Sequence, residues 1–208
     1  MIGTDLWQLL HSSEAQICRL CTIPAATFDD FVSRLPPCEA ELLQHMELPV
    51  DPFTVSDALS HGIRAVSDGS VWTDNQGAYG WMISTDLGDC TAKGMGPARG
   101  AKVDSDRAEA YGMFAILCFL RRLADYTTQM DQWHGILATD SLSLLETITE
   151  KPTELTGNAM PFGQRKRLKD LDVKCPEWDL LSSTLVELER WPGLQLQHVR
   201  GHQDRKTV

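Results

Sequence analysis

The sequence predicts an α/β domain behind an N-terminal helical extension, and three observations carry that reading. Residues 1–60 are helical pieces punctuated by proline. From Ile63 the apolar residues alternate in short runs separated by turn chemistry, and beyond residue 104 helical and strand patterns take turns. A chain of 208 residues holds one well-buried core with roughly sixty residues to spare, which divides it into an extension at 1–60 and a domain at 61–208. The extension is expected to pack on the domain rather than form a separate docking module.

Within the extension, Thr27 is placed to cap a helix with the apolar stripe Phe28, Phe31, Val32 and Leu35, which Pro36-Pro37 ends. Leu42, Leu43 and Met46 continue as a second short helix, and Pro49 and Pro52 close the segment. Residues 63–72 then read as a first strand with an acid inside it. Asp74-Asn75-Gln76-Gly77 supplies turn chemistry, residues 78–84 a second strand and residues 91–95 a third, together an antiparallel meander.

Ser105 or Asp106 is expected to cap a long helix reaching about Ala124, with Arg121 and Arg122 in its last turns. Residues 135–140 form a short apolar strand, and Ser141 caps the helix that follows. Residues 151–176 hold three prolines, two glycines and the basic run Arg165 to Lys169, the pattern of an insertion or long loop. A helix at 178–190 and a strand at 194–199 complete the chain.

Several function classes fall away on composition. The longest apolar run, residues 110–120, is too short to span a bilayer, and the N-terminus lacks the basic start and apolar core of a secretory signal, so an intracellular protein with no membrane partner is expected. Cys18-Arg19-Leu20-Cys21 and the pair His198 and His202 offer four zinc ligands in principle. They stand at opposite ends of the chain, and small buried apolar thiols are the favoured reading of the six cysteines. A net charge of −10 argues against holding nucleic acid by electrostatics alone. It leaves room for a carboxylate cluster that binds cations, which then meet phosphate.

Three acids occupy informative places: Asp68 within the first strand, Glu109 early in the long helix, and Asp140 at the C-terminal end of the next strand. Each alone has an ordinary explanation, as a turn opener, a favourable charge near a helix N-terminus and a residue preceding a helix. Jointly they lie where the catalytic crevice of an open α/β sheet forms, and a carboxylate inside a strand calls for a compensating cation.

Ser67-Asp68-Gly69-Ser70, Asp106-Arg107-Ala108-Glu109-Ala110, Ala138-Thr139-Asp140-Ser141 and His198-Val199-Arg200-Gly201-His202 occur in that order, and together they resemble the ribonuclease H family over residues 63–202. Arg107 to Gly112 and the run Gly201-His202-Gln203-Asp204 are similar to ribonuclease H domains attached to retroelement reverse transcriptases. The resemblance implies a mixed five-stranded sheet flanked by helices, and a metal-dependent endonuclease that cuts the RNA strand of RNA/DNA hybrids. It also implies a reverse transcriptase domain as a partner in the same polyprotein.

By the same resemblance, Asp68 bridges two Mg2+ ions about 4 Å apart, with Mn2+ as a substitute, while Glu109 and Asp140 complete the coordination. His202 assists proton transfer or product release. Gly69, Ser70, Arg107 and Ser141 contact the hybrid, and Arg165 to Lys169 are candidates for phosphate contacts. One departure stands out: the family's fourth carboxylate lies on a helix well after the histidine, and only Gln203 to Val208 follow His202 here. Asp204, two residues from His202, is placed as a loop acid rather than a replacement. A catalytically impaired structural or docking module, and an integrase- or transposase-type nuclease, are therefore the alternative readings.

Overall fold

The computed structural model describes residues 25–73, 75–85, 88–128, 133–150, 160–161 and 165–200. Three short helices come first: α1 (Phe28–Ser33), α2 (Pro37–Leu43) and α3 (Pro52–Ser60). Thr27 caps α1 by accepting the Asp30 N–H. Pro52, expected to close the segment, instead opens α3. A proline at the first helical position gives up an N–H that has no intrahelical partner, and the Asp51 carboxylate beside it accepts the N–H groups of Phe53 and Thr54.

The strands follow as β1 (Ile63–Thr73), β2 (Gln76–Ser84) and β3 (Cys90–Ala98). The long helix α4 (Ser105–Thr127), β4 (Gly135–Thr139), α5 (Leu142–Ile148), the two-residue β5 (Met160–Pro161), α6 (Trp178–Arg190) and β6 (Leu194–His198) complete the order. The sheet runs β3-β2-β1-β4-β6-β5. β1 pairs antiparallel with β2, and β2 with β3. β1–β4 and β4–β6 are parallel. The five expected strands thus form the mixed sheet, with β5 adding a short antiparallel edge beside β6.

Helix α4 is the core. It buries 18 of its 23 residues, because the sheet lies on one side of it and α6, α3 and α2 pack on others. Its cap is Asp104, whose carboxylate accepts the Arg107 N–H, so the cap sits one residue before the position read from the sequence. Along β1 the side chains alternate. Ala65 and Ser67 are buried toward α4, while Asp68 and Ser70 are exposed on the other face. Two residues without side chains let strand and helix approach. A Cβ on Gly69 would lie 2.4 Å from the Glu109 nitrogen, and one on Gly112 would lie 2.9 Å from the Ser67 Cβ.

The extension is fastened by charge as well as by apolar packing. Phe28, Val32, Leu42, Leu43, Val55 and Leu59 belong to the same buried cluster as α4. Glu39 of α2, 1% exposed, accepts from Arg122 Nε at 2.6 Å. Arg121 Nη2 lies 2.8 Å from the same carboxylate, a charge contact rather than an aligned hydrogen bond. Arg121 also reaches Glu187 of α6 at 2.9 Å, and Arg122 reaches Asp125 at 2.8 Å. Arg121 and Arg122, placed by the sequence as helix-end charges, are therefore the buried centre of a network joining α2, α4 and α6. Among the described residues no helix is long and apolar enough to cross a membrane.

Removing one partner of a buried ion pair leaves an uncompensated charge and typically costs about 3–5 kcal/mol. Glu39→Gln is expected to lower the unfolding free energy by about 3 kcal/mol in urea titrations. A change of less than about 1 kcal/mol, the range of an exposed pair, would contradict a structural role for the network.

Candidate functional site: a three-carboxylate cluster

β4 ends sooner than its neighbour. The last β1–β4 partners are Ser67 and Thr139, and β1 continues to Thr73 with β2 on one side only. The gap opened at the end of β4 is where the acids collect. Asp68 enters it from the first unpaired step of β1, and Asp140 from the residue after β4. Glu109 comes from the start of the second turn of α4. One carboxylate oxygen from each of the three lies within 4.8 Å of the others.

Glu109 is held at both oxygens. The Gly69 N–H, which has no β4 partner, donates to Oε1 at 2.8 Å, and the Thr139 hydroxyl donates to Oε2 at 3.1 Å. Thr139 Oγ1 in turn accepts the Ser141 N–H at 3.2 Å. Burial pushes the Glu109 carboxyl up to about 7. The Gly69 and Thr139 bonds favour its charged form, and the neighbouring charges of Asp140 and Asp68 oppose it. None of the three acids has a salt-bridge partner among the described residues.

Two like charges about 5 Å apart repel by about 3 kcal/mol at an effective dielectric of 20, so three ionised carboxylates in this gap need a cation. The donor set suits a hard divalent ion, which takes oxygen ligands and retains several waters. Asp68 is exposed and Asp140 half-buried, which leaves one side of the cluster open to solvent.

The other residues singled out from the sequence are less uniform. Ser70 is exposed two residues from Asp68, on the same face of β1. The Gly69 amide is taken by Glu109. Ser141 caps α5 by accepting the Leu144 N–H. Arg107 is buried and committed within the fold. It forms a two-pronged pair with Asp179 of α6 at 3.1 and 2.9 Å, and donates through Nε to the Arg99 carbonyl at 2.5 Å. The structure thus gives Gly69, Arg107 and Ser141 partners within the fold.

The basic run is partly consumed as well. Arg165 donates to the carbonyls of Leu188, Trp191 and Leu194 around the end of α6, and burial lowers its pKa. Lys166 caps the end of α5 through the Glu146 and Thr147 carbonyls at 3.0 and 2.8 Å. Arg167 and Lys169 remain exposed. Cys18, Cys21, His202 and Asp204 lie outside the described residues. Sequence reasoning missed the grip of Thr139 on Glu109 and the bond from His198 Nε2 to the Asp140 carbonyl at 3.1 Å. The one available signal was their adjacency to the acidic motifs.

No protein-family model and no curated protein matches the sequence. The structure is similar to solved ribonuclease H structures. With LC11-RNase H1, crystallised in complex with an RNA/DNA hybrid, the TM-score is 0.46 at 12% identity, covering 69% of this chain and 88% of that one. With RNase H1 from the halophilic archaeon Halobacterium salinarum it is 0.42 at 19% identity, covering 66% and 85%. The prototype foamy virus protease-reverse transcriptase gives 0.39 at 14% identity, over 71% of this chain and 18% of that one.

The raised Glu109 carboxyl has a consequence for stability. The folded chain keeps a proton that the unfolded chain releases from its ordinary value of 4.5, so the contribution is complete below that value and is lost as pH rises through about 7. In EDTA, urea stability of the wild type is expected to fall relative to Glu109→Gln between pH 5 and pH 8. Mg2+ is expected to restore part of it at pH 8, since an ion bound only by the folded form stabilises that form. Parallel pH profiles for the two proteins would rule out this account.

Proposed function

We propose that this chain is a metal-dependent ribonuclease H-type endonuclease that hydrolyses the RNA strand of RNA/DNA hybrids. The observation that carries the reading is the convergence of Asp68, Glu109 and Asp140, from three separate elements, to within 4.8 Å with no cationic side chain paired to them among the described residues. Such a cluster suits phosphodiester hydrolysis, where the charge to be overcome lies on the substrate's phosphate. The four ordered motifs, resembling those of the ribonuclease H family, narrow the reaction to hybrids.

On this reading the three carboxylates hold Mg2+, or Mn2+ in its place, and the ions supply an activated water and stabilisation of the leaving oxygen. The chain's own part is orientation. Gly69 and Thr139 each use one donor on Glu109, fixing the carboxylate plane while leaving its remaining lone pairs toward the gap. Ser70 stands beside Asp68 on the exposed face, where its hydroxyl suits a sugar or backbone oxygen of the hybrid. His202 is assigned assistance of proton transfer or of product release from its motif. The motif pattern around Arg107 and Gly201 favours an origin in a retroelement reverse transcriptase, with intracellular action on hybrids made by that polymerase.

The deciding measurement is cleavage of an end-labelled RNA/DNA hybrid with and without Mg2+. Asp68→Asn removes one ligand charge and is expected to reduce the rate at least about a hundredfold, equivalent to about 3 kcal/mol of barrier. Equal cutting by wild type and Asp68→Asn would overturn the assignment. A wild type that binds hybrid without cutting it, in Mn2+ as in Mg2+, would favour a structural or docking module, and a preference for DNA ends would favour an integrase-type nuclease.

A further inference from the structure

We infer that His198 is a positioning residue for Asp140, acting through the Asp140 backbone carbonyl. The inference rests on the proposed role of Asp140 as a metal ligand. Asp140 occupies a break between two hydrogen-bonded systems. The last sheet bond at the end of β4 runs from the Val199 N–H to the Thr139 carbonyl at 3.0 Å, and the α5 backbone bonds begin with the Leu145 N–H to the Ser141 carbonyl at 3.3 Å. The Asp140 carbonyl falls between them. His198 Nε2 lies 3.1 Å from it, and because a carbonyl only accepts, Nε2 carries the proton of that bond.

The imidazole is held where this bond requires it. His198 is the β6 partner of Thr139 in the parallel pairing with β4, and it is half-buried, so the sheet register sets its position. The N–H of the peptide that carries the Asp140 carbonyl, contributed by Ser141, is held by Thr139 Oγ1, which also donates to Glu109. Asp140 is thereby bracketed, since the peptide before it is held at the Thr139 carbonyl by the Val199 N–H and the peptide after it is held at both its carbonyl and its N–H. With both fixed, the Asp140 side chain leaves the backbone at one place relative to Asp68 and Glu109. A residue that orients a ligand in this way commonly contributes 10- to 100-fold to metal affinity.

Two substitutions separate the hydrogen bond from the bulk of the ring. His198→Phe keeps a planar ring and removes the donor, whereas His198→Gln loses the ring and carries an amide N–H near the Nε2 position. Free Mn2+ is followed by electron paramagnetic resonance during titration of the full chain, alongside hybrid cleavage and thermal melting. His198→Phe is expected to weaken Mn2+ binding about tenfold and His198→Gln to stay within about threefold of wild type, with both melting alike. Cleavage by His198→Phe should recover at saturating metal.

An unchanged Mn2+ constant in His198→Phe, or a His198→Gln protein as weak as His198→Phe, would overturn the inference. A wild type that binds Mn2+ yet cuts no hybrid refutes the nuclease reading alone, and the Mn2+ constants of the variants still decide for or against His198. A wild type that binds no Mn2+ overturns both.

Discussion

The distance between α4 and β1 is set by two positions that lack a Cβ. Gly69 on the strand meets the backbone of Ala108 and Glu109, and Gly112, one turn along the helix, meets the side chain of Ser67. Any larger residue at Gly69 would push a rigid helix backbone away from a central strand, because packed interiors transmit displacement rather than absorb it. The close approach also brings the Glu109 carboxylate to the Gly69 amide. Without that contact the amide would be a donor left unpaired beside the end of β4, and the carboxylate would lose one of its two orienting bonds. Helix packing and site geometry are therefore one constraint.

The same helix explains how an acidic chain tolerates two buried arginines at its other end. Arg121 and Arg122 emerge from a helix covered on several sides, where an unpaired guanidinium would be costly, and Glu39 of α2 and Glu187 of α6 reach them there. The helical extension is thus tied to the helix that presents Glu109. Charge is balanced at one end of α4 by internal partners. At the other end Asp68, Glu109 and Asp140 meet without such partners among the described residues, and on the proposed reading an external cation supplies the balance.

What could be read from the sequence divides along the range of the interactions involved. Strands β1, β2 and β3 were legible because alternation is local: residues 77 to 83 of β2 follow the buried and less buried steps that their apolar pattern announces. The Thr27 and Ser141 caps were legible for the same reason. Pro52 misled because proline both ends helices and begins them, and only the neighbouring Asp51 cap decides which. The pairing of Arg107 with Asp179 was not legible because the partner lies 72 residues away. The trio of acids was legible as ordered motifs. The bond from His198 to Asp140 was not, since it depends on β6 lying beside β4, a fact of sheet order rather than of spacing.

The fate of the basic residues bears on how such a protein meets a polyanion. Arg107, Arg121, Arg122, Arg165 and Lys166 all direct their charges inward, to carboxylates or to the carbonyls at helix ends. A net charge of −10 likewise argues against holding phosphates by electrostatics alone. On the proposed reading, attraction to a nucleic acid is concentrated at the acidic gap, where bound cations would reverse the local sign. In such an arrangement the ions would serve recognition as well as chemistry, and holding Glu109 through Gly69 and Thr139, and Asp140 through His198, becomes a condition for binding substrate.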